Sequence, residues 1–354
     1  MNTPRKHQAG LTLIELMIAL TLGLIIIAVV VGVFLSTSQN SRQNEALAAV
    51  QDNARFALDA IARDLAMAGY WGGVRPIDAL LSIKVSAGAR SAAATAVGSC
   101  GPVGESPDVW LLDIARPLQF RNHLSAQLPC LVSASVQADT DVLVIRRVSG
   151  IAAYSNDGVL PATGTTQQGR FYVKTNQNVG ALFRVGTDFS LAGPSDCPDA
   201  TGISETCKPT TTPVQVYAYT PQIYYVRSFL KSADESPRIP ILCRRYLEDT
   251  ASPPEMREDC LAEGVENLQI EWGIGSEGNN AAERYTSTPT EDQLLQARTV
   301  RIHVLVRSTV GNVQLSGDTK TFSLGDLTGF SPTPTTGVVR RSFTTTVQLK
   351  NFHP

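Results

Sequence analysis

Gly10-Leu11-Thr12-Leu13-Ile14-Glu15-Leu16 opens an apolar run with no charged side chain from Leu16 to Leu35. At about 1.5 Å of rise per residue such a run reaches about 30 Å as a helix, the thickness of a bilayer's hydrocarbon core. Arg5 and Lys6 precede it, and no positive charge follows until Arg42. The positive-inside rule then predicts a cytoplasmic N-terminus and sends everything after Ser36 across the membrane. The run ends in Val33-Phe34-Leu35-Ser36-Thr37 without an A-x-A cleavage site. An uncleaved signal anchor is therefore one reading.

Glu15 points to another. A charged group at the centre of a membrane helix costs on the order of 2.5–3.5 kcal/mol and usually has a partner. In the first turn of the helix, Glu15 sits at the positive end of the helix dipole and near the interface, where it can snorkel. Alternatively it meets a cation from another chain. Cleavage after Gly10 would create such a cation, the α-amino group of Leu11, at the same depth.

The apolar pattern continues past the membrane. Leu47, Val50, Ala54, Leu58, Ile61, Leu65 and Ala68 recur at spacings of three and four, which predicts an amphipathic helix. Asp52, Arg55, Asp59 and Arg63 lie off that stripe, with i,i+4 pairs among them. No proline interrupts Leu11 to Ala68, and Gly69 can cap the end. One helix of about 87 Å is expected.

The remainder reads as a β-rich, loop-rich head. Gly, Pro, Ser and Thr are plentiful and aromatics make up 6%. Expected strands are 109–115, 141–148, 170–175, 181–185, 214–229, 239–246, 265–273, 299–307 and 338–352. Alternation is clearest in Val300-Arg301-Ile302-His303-Val304-Leu305-Val306-Arg307. Asn156-Asp157-Gly158 signals a turn. Thr288-Pro289-Thr290-Glu291 predicts a short helix with Thr288 as N-cap, running to Ala297. The six cysteines contain no C-x-x-C pair, and in an exported head they read as disulfides. Loop lengths suggest Cys197 with Cys207 and Cys243 with Cys260, leaving Cys100 and Cys130.

No constellation of catalytic residues, metal ligands or cofactor contacts stands out. His7, His123, His303 and His353 are scattered, with no metal, phosphate-binding or nucleophile-elbow motif around them. Asp139 and Asp141 offer two carboxylates at i,i+2, a pattern more common in solvated turns than at calcium. The net charge is -2. Arg146-Arg147, Arg244-Arg245 and Arg340-Arg341 lack interleaved aromatics, so specific nucleic-acid binding is not expected.

The segment Gly10 to Ala19 resembles the N-terminus of type IV prepilins and of type II secretion pseudopilins. The glycine, the glutamate, the basic leader and the long apolar run all fall in register. The stretches Asn53 to Asp59, Arg63-Asp64-Leu65 and Ala68-Gly69-Tyr70-Trp71-Gly72 are similar to minor pilins of the PilW family. So are Glu263 to Ile270, Val300-Arg301-Ile302, Leu305 to Ser308, Arg340 to Phe343 and Val347 to Asn351. The family usually has Phe where Leu11 stands and often Cys where Gly73 stands; major pilins usually have a proline near Gly32.

The resemblance implies an α+β, pilin-like fold: a long N-terminal helix, transmembrane then amphipathic, packed on an antiparallel β-sheet head with loop insertions and disulfides. Its parts would be a leader at 1–10, a transmembrane or fibre-core helix at 11–35, the amphipathic half at 36–69 and a periplasmic head at 70–354. It implies cleavage between Gly10 and Leu11 by a prepilin peptidase and N-methylation of Leu11. Glu15, with Thr12 beside it, would serve subunit pairing. The chain would sit in the bacterial inner membrane and then in the pilus, where it primes and caps assembly. Implied partners are other minor pilins, the major pilin and a PilY-type tip adhesin. A J-type minor pseudopilin of a type II secretion system and a signal-anchored periplasmic enzyme or binding protein are the alternatives.

Overall fold

The computed structural model describes residues 12–74, 83–85, 89–91, 93, 110–123, 131, 136–155, 169–175, 180–184, 215–248, 254–276, 278, 281–309, 320–332 and 337–352. Helix α1 (Leu13–Ala66) comes first. It is followed by β1 (Ile83–Val85), β2 (Leu118–Arg121), β3 (Val142–Ile145), β4 (Tyr154–Ser155), β5 (Phe171–Thr175) and β6 (Gly180–Arg184). Then come β7 (Gln215–Ala218), β8 (Gln222–Arg227), β9 (Ile241–Glu248), β10 (Glu255–Glu263), β11 (Val265–Ile274) and β12 (Arg284–Thr286). A short helix, α2 (Glu291–Leu295), precedes β13 (Ala297–Arg307), β14 (Phe322–Leu324), β15 (Leu327–Phe330) and β16 (Arg340–Gln348). The architecture is α+β, with a long apolar N-terminal helix and mostly antiparallel sheets. The chain divides into two compact units, Met1–Ala49 and Val50–Pro354.

In the first unit the described part is helix alone, and it continues through Gly32 without a break. Its large apolar side chains, from Leu13 to Leu35, are exposed.

The second unit is built on the amphipathic part of α1. Val50, Ala54, Ala57, Ile61 and Leu65 are fully buried. They share a core with Leu143 and Ile145 of β3, Tyr224 and Val226 of β8, Leu268, Ile270 and Trp272 of β11, and the even-numbered valines of β13. Two sheets face this helix, ordered β10-β9-β8-β3-β2 and β12-β11-β13-β16. The first is covered on both faces. Its other side chains, Val142, Val144, Ile223 and Tyr225, enter a second core with Trp71, Trp110 and Tyr219. This explains why Val142-Leu143-Val144-Ile145 shows no alternation. A third sheet, β1-β6-β5-β7-β4, contributes Val173, Leu182 and Tyr217 to that second core.

Several expected elements shift. Residues 110–111 are helical and 112–116 form turns rather than a strand; Asp113 Oδ1 accepts from the N–H groups of Ala115 (3.1 Å) and Arg116 (3.2 Å). The expected strand 214–229 is two strands broken at Tyr219-Thr220-Pro221. Helix α2 starts two residues later than predicted. Thr290 is the N-cap, and Gln293 completes the capping box that was expected from Thr288 and Glu291. Strand β10 was not predicted at all. Its acidic side chains are neutralised from the neighbouring ladder, as Arg244 does for Asp259 at 2.9 Å. The Asn156-Asp157-Gly158 turn lies outside the described residues.

Candidate functional site

The start of α1 is a closed local network. Thr12 stands just before the helix as its N-cap, and Glu15 is the third helical residue. Glu15 Oε2 accepts from the Thr12 N–H (3.2 Å) and hydroxyl (3.1 Å), while the Glu15 N–H donates to Thr12 Oγ1 (3.3 Å). This is a capping box, the T-x-x-E pattern written in Thr12-Leu13-Ile14-Glu15. Read from the sequence, Glu15 is a charge that awaits a foreign partner; the structure gives it a local one as well. Both residues are exposed at the head of an apolar helix long enough to cross a membrane. Gly10 and Leu11 lie outside the described residues.

At its other end α1 is tied to the head by polar side chains. Asp64 is 6% exposed. Its Oδ1 accepts from Arg147 Nη2 (2.6 Å) and Nε (3.1 Å), and its Oδ2 accepts from the Tyr224 hydroxyl. Burial first, and then the neighbouring Asp64 charge, pushes the Tyr224 hydroxyl up. It therefore stays a donor. Asn53 Nδ2 donates to Glu263 O (3.0 Å). Asn351 Nδ2 donates to Ala66 O (3.2 Å) and Ala68 O (3.1 Å), satisfying the helix's last carbonyls. Gly69 takes a positive φ of 69° and donates its N–H to Arg146 O at 3.1 Å. Asn53, Asp64, Gly69 and Asn351 make these contacts. Their shared work is to hold the helix on the head.

A second buried network lies where β11, β13 and β16 meet. Glu266 takes Arg340 at 2.6 and 3.0 Å and Arg307 at 3.2 Å. Burial pulls the Arg307 guanidinium down from its usual value. Of the expected cysteine pairs, Cys243 and Cys260 face each other across β9 and β10 and are joined. Cys100, Cys130, Cys197 and Cys207 lie outside the described residues.

The remaining candidates are structural in their contacts. His303 lies between Thr344 (2.9 Å) and Glu271 (3.0 Å). His123 Nε2 is 3.0 Å from Gln269 Oε1. Asp141 turns inward and accepts from the N–H groups of His123 (2.9 Å) and Ile270 (2.7 Å). Burial outweighs those donors and raises its pKa to about 7. Among the described residues, Cys243, Glu258 and Cys260 are the one group of metal-type ligands close together. Its two sulfurs are joined to each other and have no thiolate to offer.

Comparison with known proteins matches two family models. The prokaryotic N-terminal methylation motif covers residues 5–31, and type IV pilus-assembly protein W covers residues 223–351. A pilin-like protein PilA3 of Thermus thermophilus is 38% identical over 66 residues. That alignment takes in 18% of this chain and 28% of the relative's length. A solved type IV-like pilin, TTHA1219 from Thermus thermophilus, aligns over 38% of this chain and 79% of its own at 12% identity. Its TM-score is 0.19, too loose a superposition to bear on the fold.

Proposed function

We propose that this chain is a minor pilin of the PilW family and that it follows a particular life cycle. The prepilin peptidase cuts between Gly10 and Leu11 on the cytoplasmic side and methylates the new Leu11 nitrogen. The subunit waits in the inner membrane with its head in the periplasm. It then joins other minor pilins and the major pilin, starting and capping the fibre. The observation that carries this reading is the Thr12–Glu15 network at the head of an apolar helix segment whose large side chains, Leu13 to Leu35, are exposed. The carboxylate stands four residues from the Leu11 nitrogen that cleavage would free, and it can exchange its own cap for a neighbour's amine.

In this scheme Glu15 has two partners in turn. In the lone subunit it caps its own helix; in the fibre it meets the Leu11 amine of a neighbour. Glu15→Ala should leave cleavage intact and remove the subunit from sheared pili. Mass analysis of the mature N-terminus and immunoblots of sheared fibres test both halves. A protein that keeps residues 1–10 beside an active prepilin peptidase would end the reading, as would normal recovery of the Glu15→Ala chain in pili.

A further inference from the structure

The sheet β12-β11-β13-β16 turns one face to the core shared with α1 and carries three polar side chains in a row on the other. Thr344 of β16 lies directly opposite His303 of β13. The Leu349 N–H bonds to Arg298 O and the Ser308 N–H to Val339 O, so odd-numbered residues of β16 make the ladder bonds. His303 and Thr344 are therefore a non-hydrogen-bonded pair, the kind whose side chains stand closest. His303 Nδ1 is 2.9 Å from Thr344 Oγ1, and its Nε2 is 3.0 Å from Glu271 Oε2. Arg301 Nη1 donates to the same oxygen at 3.1 Å. A carboxylate only accepts. The proton of the neutral His303 ring is thus on Nε2, Nδ1 is bare, and the Thr344 hydroxyl donates to it. The pair behind the hydroxyl is shielded. Gly325, in the β14–β15 turn at φ 60°, lies so close that an added Cβ would stand 3.2 Å from Glu271 Cγ and 3.6 Å from His303 Cδ2. Asp326, next in that turn, is held by Asn122 Nδ2 at 3.1 Å and faces His123 Nε2 at 3.5 Å. His303 is 9% exposed, whereas Thr344 is exposed.

We propose that Thr344 is a nucleophile toward small acyl esters, with His303 as its general base and Glu271 as a positioning residue. A hydroxyl whose proton rests on a base, with the base oriented by a third group, is the arrangement that activates such a nucleophile. The Thr344 oxygen bonds to the ester's carbonyl carbon as the hydroxyl proton passes to His303 Nδ1. The ester C–O bond then breaks, and the departing alkoxide takes that proton. Water repeats the sequence on the acyl-threonine and releases the acid. Among the described residues β16 pairs with β13 alone, so the Thr344 N–H points outward from the sheet edge. It is placed to donate to the carbonyl oxygen while that atom carries charge, as a nucleophile's own N–H does in acyl transfer. One such donor is a weak oxyanion site, so turnover should be slow and the acyl-threonine should accumulate. Ser342 and Thr346, exposed on either side, are short and polar, which suits a small acyl group. The activity goes beyond the assembly role above and does not depend on it.

The test treats the full chain, in detergent micelles, with p-nitrophenyl acetate. Nitrophenol release is followed by absorbance, and the acetyl group is located by peptide mapping. It should sit on the peptide holding Thr344. Thr344→Val should abolish that label and Thr344→Ser should keep it; both replace an exposed side chain and leave the fold intact. His303→Gln should slow acylation about 100-fold or more. Glu271→Gln offers the ring a donor in place of an acceptor, favours the wrong tautomer, and should slow acylation at least about tenfold. If either buried variant fails to fold, the pH profile of the unaltered chain decides. General-base attack should rise through one ionisation and then level off, whereas an unassisted hydroxyl keeps climbing with hydroxide. Acetyl groups found only on lysines or the N-terminal amine, a Thr344 label indifferent to His303→Gln, or a rate that tracks hydroxide throughout would overturn the proposal.

Discussion

Helix α1 carries two aspartate–arginine pairs whose worth should differ severalfold. Asp59 and Arg63 are 3.0 Å apart, with side chains 65% and 68% exposed. Such i,i+4 pairs contribute about 0.3–0.5 kcal/mol. Asp64 is buried and holds both Arg147 and Tyr224. Asp64→Ala strands both partners, and breaking a buried pair costs about 3–5 kcal/mol. Arg147 keeps 17% of its side chain exposed, which favours the lower figure, about 3 kcal/mol. In a domain of this size each 1 kcal/mol moves Tm by about 2–4 °C. Asp64→Ala should therefore lower the head's Tm by about 6–12 °C, and Asp59→Ala by about 2 °C or less. Thermal unfolding followed by fluorescence of the buried Trp71 and Trp272 measures both. Equal shifts for the two variants, or an Asp64→Ala chain as stable as the parent, would refute the anchoring role.

Three further outcomes are expected. Gly264 links β10 to β11 at φ 78°, and an added Cβ would lie 2.2 Å from Arg307 O. Gly278 has φ 80° and open space. Both alanine variants bear the left-handed cost of about 1–2 kcal/mol, so Gly264→Ala should lose clearly more stability in urea unfolding than Gly278→Ala. Asp141 is raised from 3.8 to about 7. Between those values the native state holds a proton that the unfolded chain has lost, so stability should fall as pH rises through that window and level off above it. Urea midpoints at several pH values should show that slope in the parent and lack it in Asp141→Asn. Removing the Cys243–Cys260 bridge, which spans 17 residues, should cost about 3 kcal/mol, read as a lower Tm in a Cys243→Ala/Cys260→Ala chain.

The amphipathic part of the helix was legible because its side chains follow a single period. The stripe through Val50, Ala54, Ile61 and Leu65 faces one core. In β13 Val300, Ile302, Val304 and Val306 enter that core, while His303, Leu305 and Arg307 are buried on the other face, where the alternation suggests solvent. Strand β10 was not legible, since Glu255-Met256-Arg257-Glu258-Asp259 has no apolar face of its own. It is a strand because β9 supplies the ladder, the arginine and the disulfide partner. Asp64 was hidden for a related reason. It looks like a helix surface charge until the fold brings Arg147 and Tyr224 to it from 83 and 160 residues away. The Thr12–Glu15 box is present in the sequence, but the same carboxylate invites an intermolecular reading that masks it.

The Asn351 cap sets an order on biogenesis. The helix end at Ala66 and Ala68 is made early, yet its donor arrives 285 and 283 residues later. Synthesis from the N-terminus leaves those carbonyls without their donor, and β13 without β16, until β16 and Asn351 have been made. Contacts so distant in sequence form slowly. A chain stopped before β16 would thus present an unsealed helix end and a raw sheet edge to proteases. Asn351 acts as a receipt for a finished head, countersigned on the element that was made first.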